Sequence, residues 1–437
     1  MKKTLAILVV LAMFASLSAC VSKTQDTSTQ QTTTQQPATP ENSKLTILVE
    51  AGSPGEIVAN NTKADFEALH PGLTIVVDAI PYSGIFDKLS TEMKSGNVIH
   101  DVATVDVLWL SAFQNGIVPL NDYITEDMTA DFLPTMLDGG TLSGKILGMP
   151  MWINSKVLMY RTSLFEDAKN KADFSTKYGY ELKAPTTWQE YLDAASFFTD
   201  KSKNFYGTAV YGMNNGDTVC SWLDFAAQAG AKPLVLDGNK VLIDQQPYID
   251  AINFMKEQYD AQIVPEDSLS NASGEVINYF NNGQLAMMLN WSHFYPSAKE
   301  ALGGDVSVAP MIGGSAGIGA TTGPWYEVAL NGSNNKDLAV EYLKFMYDHN
   351  GDYMEAALKI AGRTSVYEKY AQIPGNEHLD AVLKTLGSPA SGNRPNTPYW
   401  NEIEQILADA IHNAMAGDIS AEDSLTKAKA EIEKIIQ

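Results

Sequence analysis

The chain has 437 residues, enough for two domains, and its 45% hydrophobic and 19% charged content excludes a wholly disordered polypeptide. A formal net charge of −22 excludes a nucleic-acid binder and a polybasic lipid-docking protein, because both depend on Lys and Arg neutralising phosphates. The acidity reads as a solubility feature.

Lys2 and Lys3 precede the apolar run 5–14, which is too short for an ordinary spanning helix. Leu17-Ser18-Ala19-Cys20 follows. It resembles the lipobox of bacterial lipoproteins, which implies a signal peptide over 1–19 and acylation of Cys20. Several acyl chains at one residue are enough for lasting anchorage. Cys220 then has no intrachain disulfide partner. With Trp222, Leu223 and Phe225 nearby, it reads as a buried small hydrophobe. Residues 20–43 are mostly Ser, Thr and Gln and read as a disordered tether spanning roughly 25–30 Å. No later stretch has the length and apolarity to span a bilayer. The expected location is extracytoplasmic, with the body anchored to the cell membrane by its N-terminal lipid.

The body begins with an apolar run, Leu45–Val49, that ends at Glu50 and the turn Gly52-Ser53-Pro54-Gly55. It predicts a strand. A helix to about Leu69 follows, stopped by His70-Pro71-Gly72, then a strand over Leu73–Val77. Phe86, Leu89 and Met93 have helical spacing, and Gly96 ends that helix. Val102–Val105 predicts a third strand, with Asp106 at its end. Strands alternating with helices predict a mainly parallel sheet with a ligand crevice at the strand ends. Thr187 and Glu190 predict a capped helix start, and Ile252, Met255 and Tyr259 mark another helix. A strand ends at Asn290-Trp291, and Val306–Ala309 and Tyr326–Leu330 predict two more. The tail is helical: Trp400, Ile403, Leu407, Ala410 and Ala414 form one stripe ended by Gly417, and Ser420 caps a second helix.

Several stretches resemble, in order, the sugar- and oligosaccharide-binding extracellular solute-binding proteins of bacterial ABC importers, a maltose-binding-like family. They are Asp101–Tyr123 with Gly116 and Leu120; Gly148, Pro150, Tyr160, Leu164 and Phe165; and Pro185-x-Thr187-Trp188-x-Glu190. Further on come Phe280-x-x-Gly283-x-x-Ala286-Met287, Asp305–Pro310, Ala339–Met346 and Gly417–Ala428. Together they cover the chain from Lys44 to its end, and their order carries the resemblance. Departures are Arg161-Thr162-Ser163 after Tyr160, His100 where Pro is usual, and Ser424 before Leu425. The resemblance implies an α/β, two-lobed periplasmic-binding-protein fold, class II-like, with the ligand cleft between lobes. Crossings are expected near 150–154, 306–310 and 360–364. The lobes would then comprise 44–152 plus 308–360, and 153–307 plus 361–437.

A sugar offers apolar CH faces and a rim of hydroxyls, so a site needs flat rings and paired polar groups. Trp291, at a strand end beside Asn290, resembles the family's sugar-stacking Trp. Trp325 leads a strand facing the expected cleft, and Trp400 fits either a platform or a core stripe. Trp109 and Trp152 fall between cleft and core, Trp222 between second-lobe platform and core, and Trp188 reads as structural. Glu50 and Asp106 are candidate hydroxyl acceptors, although Asp106 fits a helix cap nearly as well. Tyr82 is a rim candidate, and Asn154 sits at a crossing. Arg363 either donates to ligand or pairs across the hinge.

HExxH, Walker A, CxxC and GxGxxG patterns are absent from the sequence. No catalytic residue, metal or cofactor is expected. The expected function is capture of a carbohydrate by hinge closure and delivery to an ABC permease, by a monomer that binds no nucleic acid. Alternatives are a non-sugar solute such as a polyamine, polyol or organic acid, a sensor role, and a lipid-anchored glycosidase. Cys20→Ser is expected to shift the protein from membrane to soluble or precursor fractions; fractionation that finds unchanged membrane retention refutes acylation.

Overall fold

A computed structural model describes residues 43–355 and 360–436. The signal, Cys20 and nearly all of the tether lie outside the described residues. Eight strands position the site: β1 (Ser43–Glu50), β2 (Leu73–Ile80), β3 (Val102–Asp106), β4 (Met149–Trp152), β5 (Lys156–Tyr160), β6 (Met287–Trp291), β7 (Ser307–Ala309) and β8 (Trp325–Ala329).

The first sheet has the order β2-β1-β3-β8-β4. Leu45, Ile47, Leu48 and Val49 on β1 are all fully buried, as expected for a strand covered on both faces. β1 runs parallel to β2 and β3, while β8 returns antiparallel between β3 and β4. Its register sets Trp325 opposite Asp106 on one side and Trp152 on the other. Glu50, Asp106 and Trp152 therefore end their strands at the same sheet edge, with Trp325 among them. This is the crevice side of an open α/β sheet. Ser53 accepts from the Glu56 amide at 3.3 Å and caps helix Pro54–Leu69, which opens next to that edge.

The second sheet has three strands, β6-β5-β7, and both pairings are antiparallel. Here β6 and β7 both run against β5, unlike the parallel run of β1 with β2 and β3. Helices Trp188–Phe198, Gly216–Gln228, Gln246–Asp260 and Trp400–Ala416 belong to this lobe. Thr187 caps the first of these, accepting from the Glu190 amide at 3.2 Å. The Glu190 carboxylate reaches the Thr186 amide at 2.7 Å, one residue outside the usual capping-box position. Trp188 stacks on Phe254 at 4.3 Å, in the structural role expected. Cys220 is buried, and burial pushes its thiol up to about 12.

Three crossings join the sheets side by side. The Ile153 amide donates to the Ala361 carbonyl at 3.0 Å, and the Gly323 amide to the Asn154 carbonyl at 3.4 Å. Tyr367 Oη donates to the Ile153 carbonyl at 2.9 Å. The middle crossing falls later than expected. β7 pairs with β5, the Gly313 amide donates to the Thr186 carbonyl, and the Thr321 amide donates to Asp224 at 2.6 Å. Residues 308–322 thus stay with the second sheet, and the chain reaches the first only at Gly323. No helix among the described residues is long and apolar enough to cross a membrane.

Glu327 on β8 is fully buried, and its carboxylate oxygens have no hydrogen-bond partner among the described residues. Thr104 stands opposite it in the sheet, and Tyr342 and Tyr353 lie within reach of its charge. Burial raises its carboxyl to about 8. A raised carboxyl binds its proton more tightly in the folded than in the unfolded state. Its contribution to stability is therefore full below about pH 4.5 and is lost as pH rises toward 8, by up to about 4 kcal/mol. Glu327→Gln should match the wild-type melting temperature near pH 4.5 and exceed it at pH 8; parallel profiles across that range would refute the assignment.

Candidate functional site

Where the two sheets face each other, a chamber of about 300 Å³ is lined by Glu50, Trp152, Asn154, Trp291, His293, Trp325 and Arg394, together with 51–54, Gly323 and Ile360. The first sheet contributes a stacked indole pair. Trp152 and Trp325 lie 5.4 Å apart at 19°, and Trp109 buttresses Trp325 edge-on at 5.8 Å. Gly55 lets the following helix approach closely. A Cβ there would meet the Trp152 ring at 3.2 Å. The second sheet contributes Trp291. Its Nε1 donates to Asp217 at 3.4 Å, and the Lys156 ammonium sits 4.8 Å from its ring centroid. Lys156 is itself buried and bonded to Asp224 at 2.7 Å, so the ring rests on a fixed cation.

The crossings supply the polar floor. Asn154 Oδ1 accepts from Ser292 Oγ at 2.6 Å, and its Nδ2 meets His293 Nδ1 at 2.6 Å. Burial lowers His293 to about 4, so the imidazole is neutral at pH 7. With Asn154 donating to Nδ1, the ring proton resides on Nε2. Glu50 is half-buried; burial, then the Asp106 charge, raises its carboxyl to about 7. Asp106 caps the Leu108 amide at 3.2 Å and faces Arg394 at 3.4 Å. Arg394 also lies 4.0 Å from Glu404, whose carboxyl is raised by burial against the lowering pull of that guanidinium.

Arg394 belongs to a strap, residues 388–396, that touches both lobes. Asn396 Oδ1 accepts from the Ser111 amide at 2.8 Å, and Asn393 Nδ2 donates to the Thr135 carbonyl at 2.9 Å. On the strap's other side lies a larger cavity of about 430 Å³, walled by Val107, Pro134, Leu234, Asn393, Arg394 and Asn396 among others. It has no aromatic lining residue, so the smaller chamber is the one with ring surface for a ligand. No group of three or more metal-ligating side chains occurs among the described residues.

Of the residues singled out in the sequence, Glu50, Trp152, Asn154, Trp291 and Trp325 meet in the chamber, and Asp106 stands behind Arg394. Five others, Trp109, Trp222, Asn290, Arg363 and Trp400, do not reach it. Trp222 is fully buried, with Nε1 donating to the Tyr248 carbonyl at 2.9 Å. Trp400 is 1% exposed and bonds Glu404 at 3.1 Å, on the core stripe. Trp109 is core support. Asn290 is buried and spends its side chain on Tyr211, Ser273 and the Trp291 amide. Arg363 pairs with Asp131 at 2.7 Å and lies over Tyr347, away from the chamber. Tyr82 opens helix Tyr82–Ser95. His293 and Arg394 escaped the sequence reading. His293 lies two residues past Trp291 and was legible as a neighbour; Arg394 carried no local signal.

Family membership follows from a match along most of the body. The family described as bacterial extracellular solute-binding protein matches residues 45–352. The chain belongs to that family. Its relatives are binding proteins rather than enzymes. They include a binding protein of Brucella abortus strain 2308, 26% identical over 90% of this chain and 93% of that one. A maltooligosaccharide ABC transporter solute-binding lipoprotein of Streptococcus pneumoniae R6 is 24% identical over 96% and 94%. Among solved structures, maltose-bound T. maritima MalE3 superposes with a TM-score of 0.73 at 22% identity, covering 90% of this chain and 99% of that one. A cyclic alpha-maltosyl-1,6-maltose binding protein from Arthrobacter globiformis gives 0.74 at 19%, covering 90% and 98%. The two-lobed fold of this solute-binding protein is thereby shown.

The split between core and chamber tryptophans has a measurable consequence. Trp222→Ala should cost about 3–5 kcal/mol of apo stability. Trp291→Ala, at a half-buried ring, should cost about 1 kcal/mol through its lost cation contact. Denaturant titration giving equal losses would contradict the split.

Proposed function

We propose that this solute-binding protein captures a carbohydrate in the chamber and delivers it unchanged to an ABC permease, acting as a monomer held at the membrane by a lipid on Cys20. One observation carries the reading. Indole rings from both lobes, Trp152 and Trp325 on one and Trp291 on the other, converge on a chamber whose polar lining includes Glu50, Asn154, His293 and Arg394. Rings cover the CH faces of a pyranose, and the polar groups meet its hydroxyls. The maltooligosaccharide and maltose named for its relatives agree with that chemistry.

Because the walls belong to different lobes, ligand contacts favour the closed arrangement. Separation of the lobes would break the Ser111–Asn396 bond and the Asp106–Arg394 pair. Ligand therefore shifts an open–closed equilibrium, and the permease reads the closed form.

Isothermal titration against mono-, di- and oligosaccharides tests the reading. At least one sugar should bind, and Trp291→Ala should weaken it roughly 10–100-fold. A panel in which no carbohydrate binds, while a polyamine or organic acid does, overturns it.

A further inference from the structure

Charge around the chamber is unbalanced. Glu50 ends β1 at the chamber wall, and no described side chain donates a hydrogen bond to its carboxylate. No lysine lines the chamber, and Arg394 is its one cationic lining residue among those described. That guanidinium already faces Asp106 at 3.4 and 3.5 Å and Glu404 at 4.0 Å. Lys156, beneath Trp291, is bound to Asp224. Asp217 adds a further carboxylate on the Trp291 side, and His293 is neutral. Glu56, on the helix after β1, is turned to the Gly52 amide at 2.6 Å. One guanidinium thus stands against Glu50, Asp106, Asp217 and Glu404.

A half-buried carboxylate without a counter-charge is costly, and a ligand that carries the missing cation removes that cost. The tryptophan rings add attraction of the same sign, because a ring face draws a cation and repels an anion. Rings and carboxylate are independent features of one chamber, and both order ligands the same way.

Building on the carbohydrate reading, we infer that the chamber selects a sugar bearing a protonated amino group, which Glu50 pairs with among Trp152, Trp291 and Trp325, and that it rejects acidic sugars. Asp106 and Arg394 set the background charge, and Glu50 is the residue that decides selectivity. With its carboxyl raised to about 7, Glu50 is ionised at pH 8 and protonated at pH 5.5. Preference for the amine is present at the higher pH and lost at the lower.

The test uses the sugar that binds in the titration panel, with its C6-amino and C6-carboxylate derivatives. For a gluco-configured ligand these are D-glucose, 6-amino-6-deoxy-D-glucose and D-glucuronate. At pH 8 the amine should bind about tenfold or more tighter than the neutral sugar, and the uronate about tenfold weaker. The amine-to-neutral ratio should fall to within about threefold at pH 5.5, and likewise in Glu50→Gln at pH 8. Equal affinities across the series, or tighter uronate, overturn the selectivity while leaving carbohydrate capture standing. A panel without any bound sugar overturns the carbohydrate reading itself.

Discussion

The chamber depends on one constraint: three crossings of the chain are hydrogen-bonded to one another at Ile153–Asn154. The Ile153 amide holds the Ala361 carbonyl, the Asn154 carbonyl holds the Gly323 amide, and the Asn154 side chain holds Ser292 and His293. Buried backbone groups between two sheets must be paired, and here they pair across crossings. The result is a floor that belongs to neither lobe.

Each wall is stiffened by its own lobe. The Trp152–Trp325 pair is set by strand register and backed by Trp109 and Tyr353. Trp291 rests on Lys156, whose partner Asp224 also accepts from the Thr321 amide. A buried ion pair is a poor source of net stability but a demanding one in geometry. In this place it ties β5, helix Gly216–Gln228 and the start of the middle crossing to the Trp291 ring at the chamber wall. Preorganised rings lose little freedom on binding. Arg394 works differently, since its strap is built on the second lobe and its charge faces the first.

Most of the first sheet was legible because its strands are local runs bounded by turn residues, and Glu50 and Asp106 stand where those runs stop. The position of Trp291 was legible for the same reason. The second sheet's antiparallel pairing was not, because strand direction depends on contacts between segments more than a hundred residues apart, as in β5 with β6 and β7. The middle crossing was misplaced for a related reason. Segment 308–322 is held by partners far off in sequence, among them Leu158, Thr186, Asp224 and Ser391, and such contacts leave no periodic pattern.

By itself, the sequence determined the alternation of elements, the caps at Thr187 and Ser420, the ordered family motifs, and which residue types were available for a ring-and-hydroxyl site. It left core and cleft undistinguished among the tryptophans. An indole on a helical stripe, such as Trp400, and one at a strand end, such as Trp325, are equally apolar in one dimension. Only tertiary packing decided that Trp222 and Trp400 are enclosed while Trp152, Trp291 and Trp325 line the chamber. Only packing brought Arg394 between Asp106 and Glu404, leaving Glu50 as the uncompensated charge, because electrostatic balance is a sum over neighbours in space rather than along the chain.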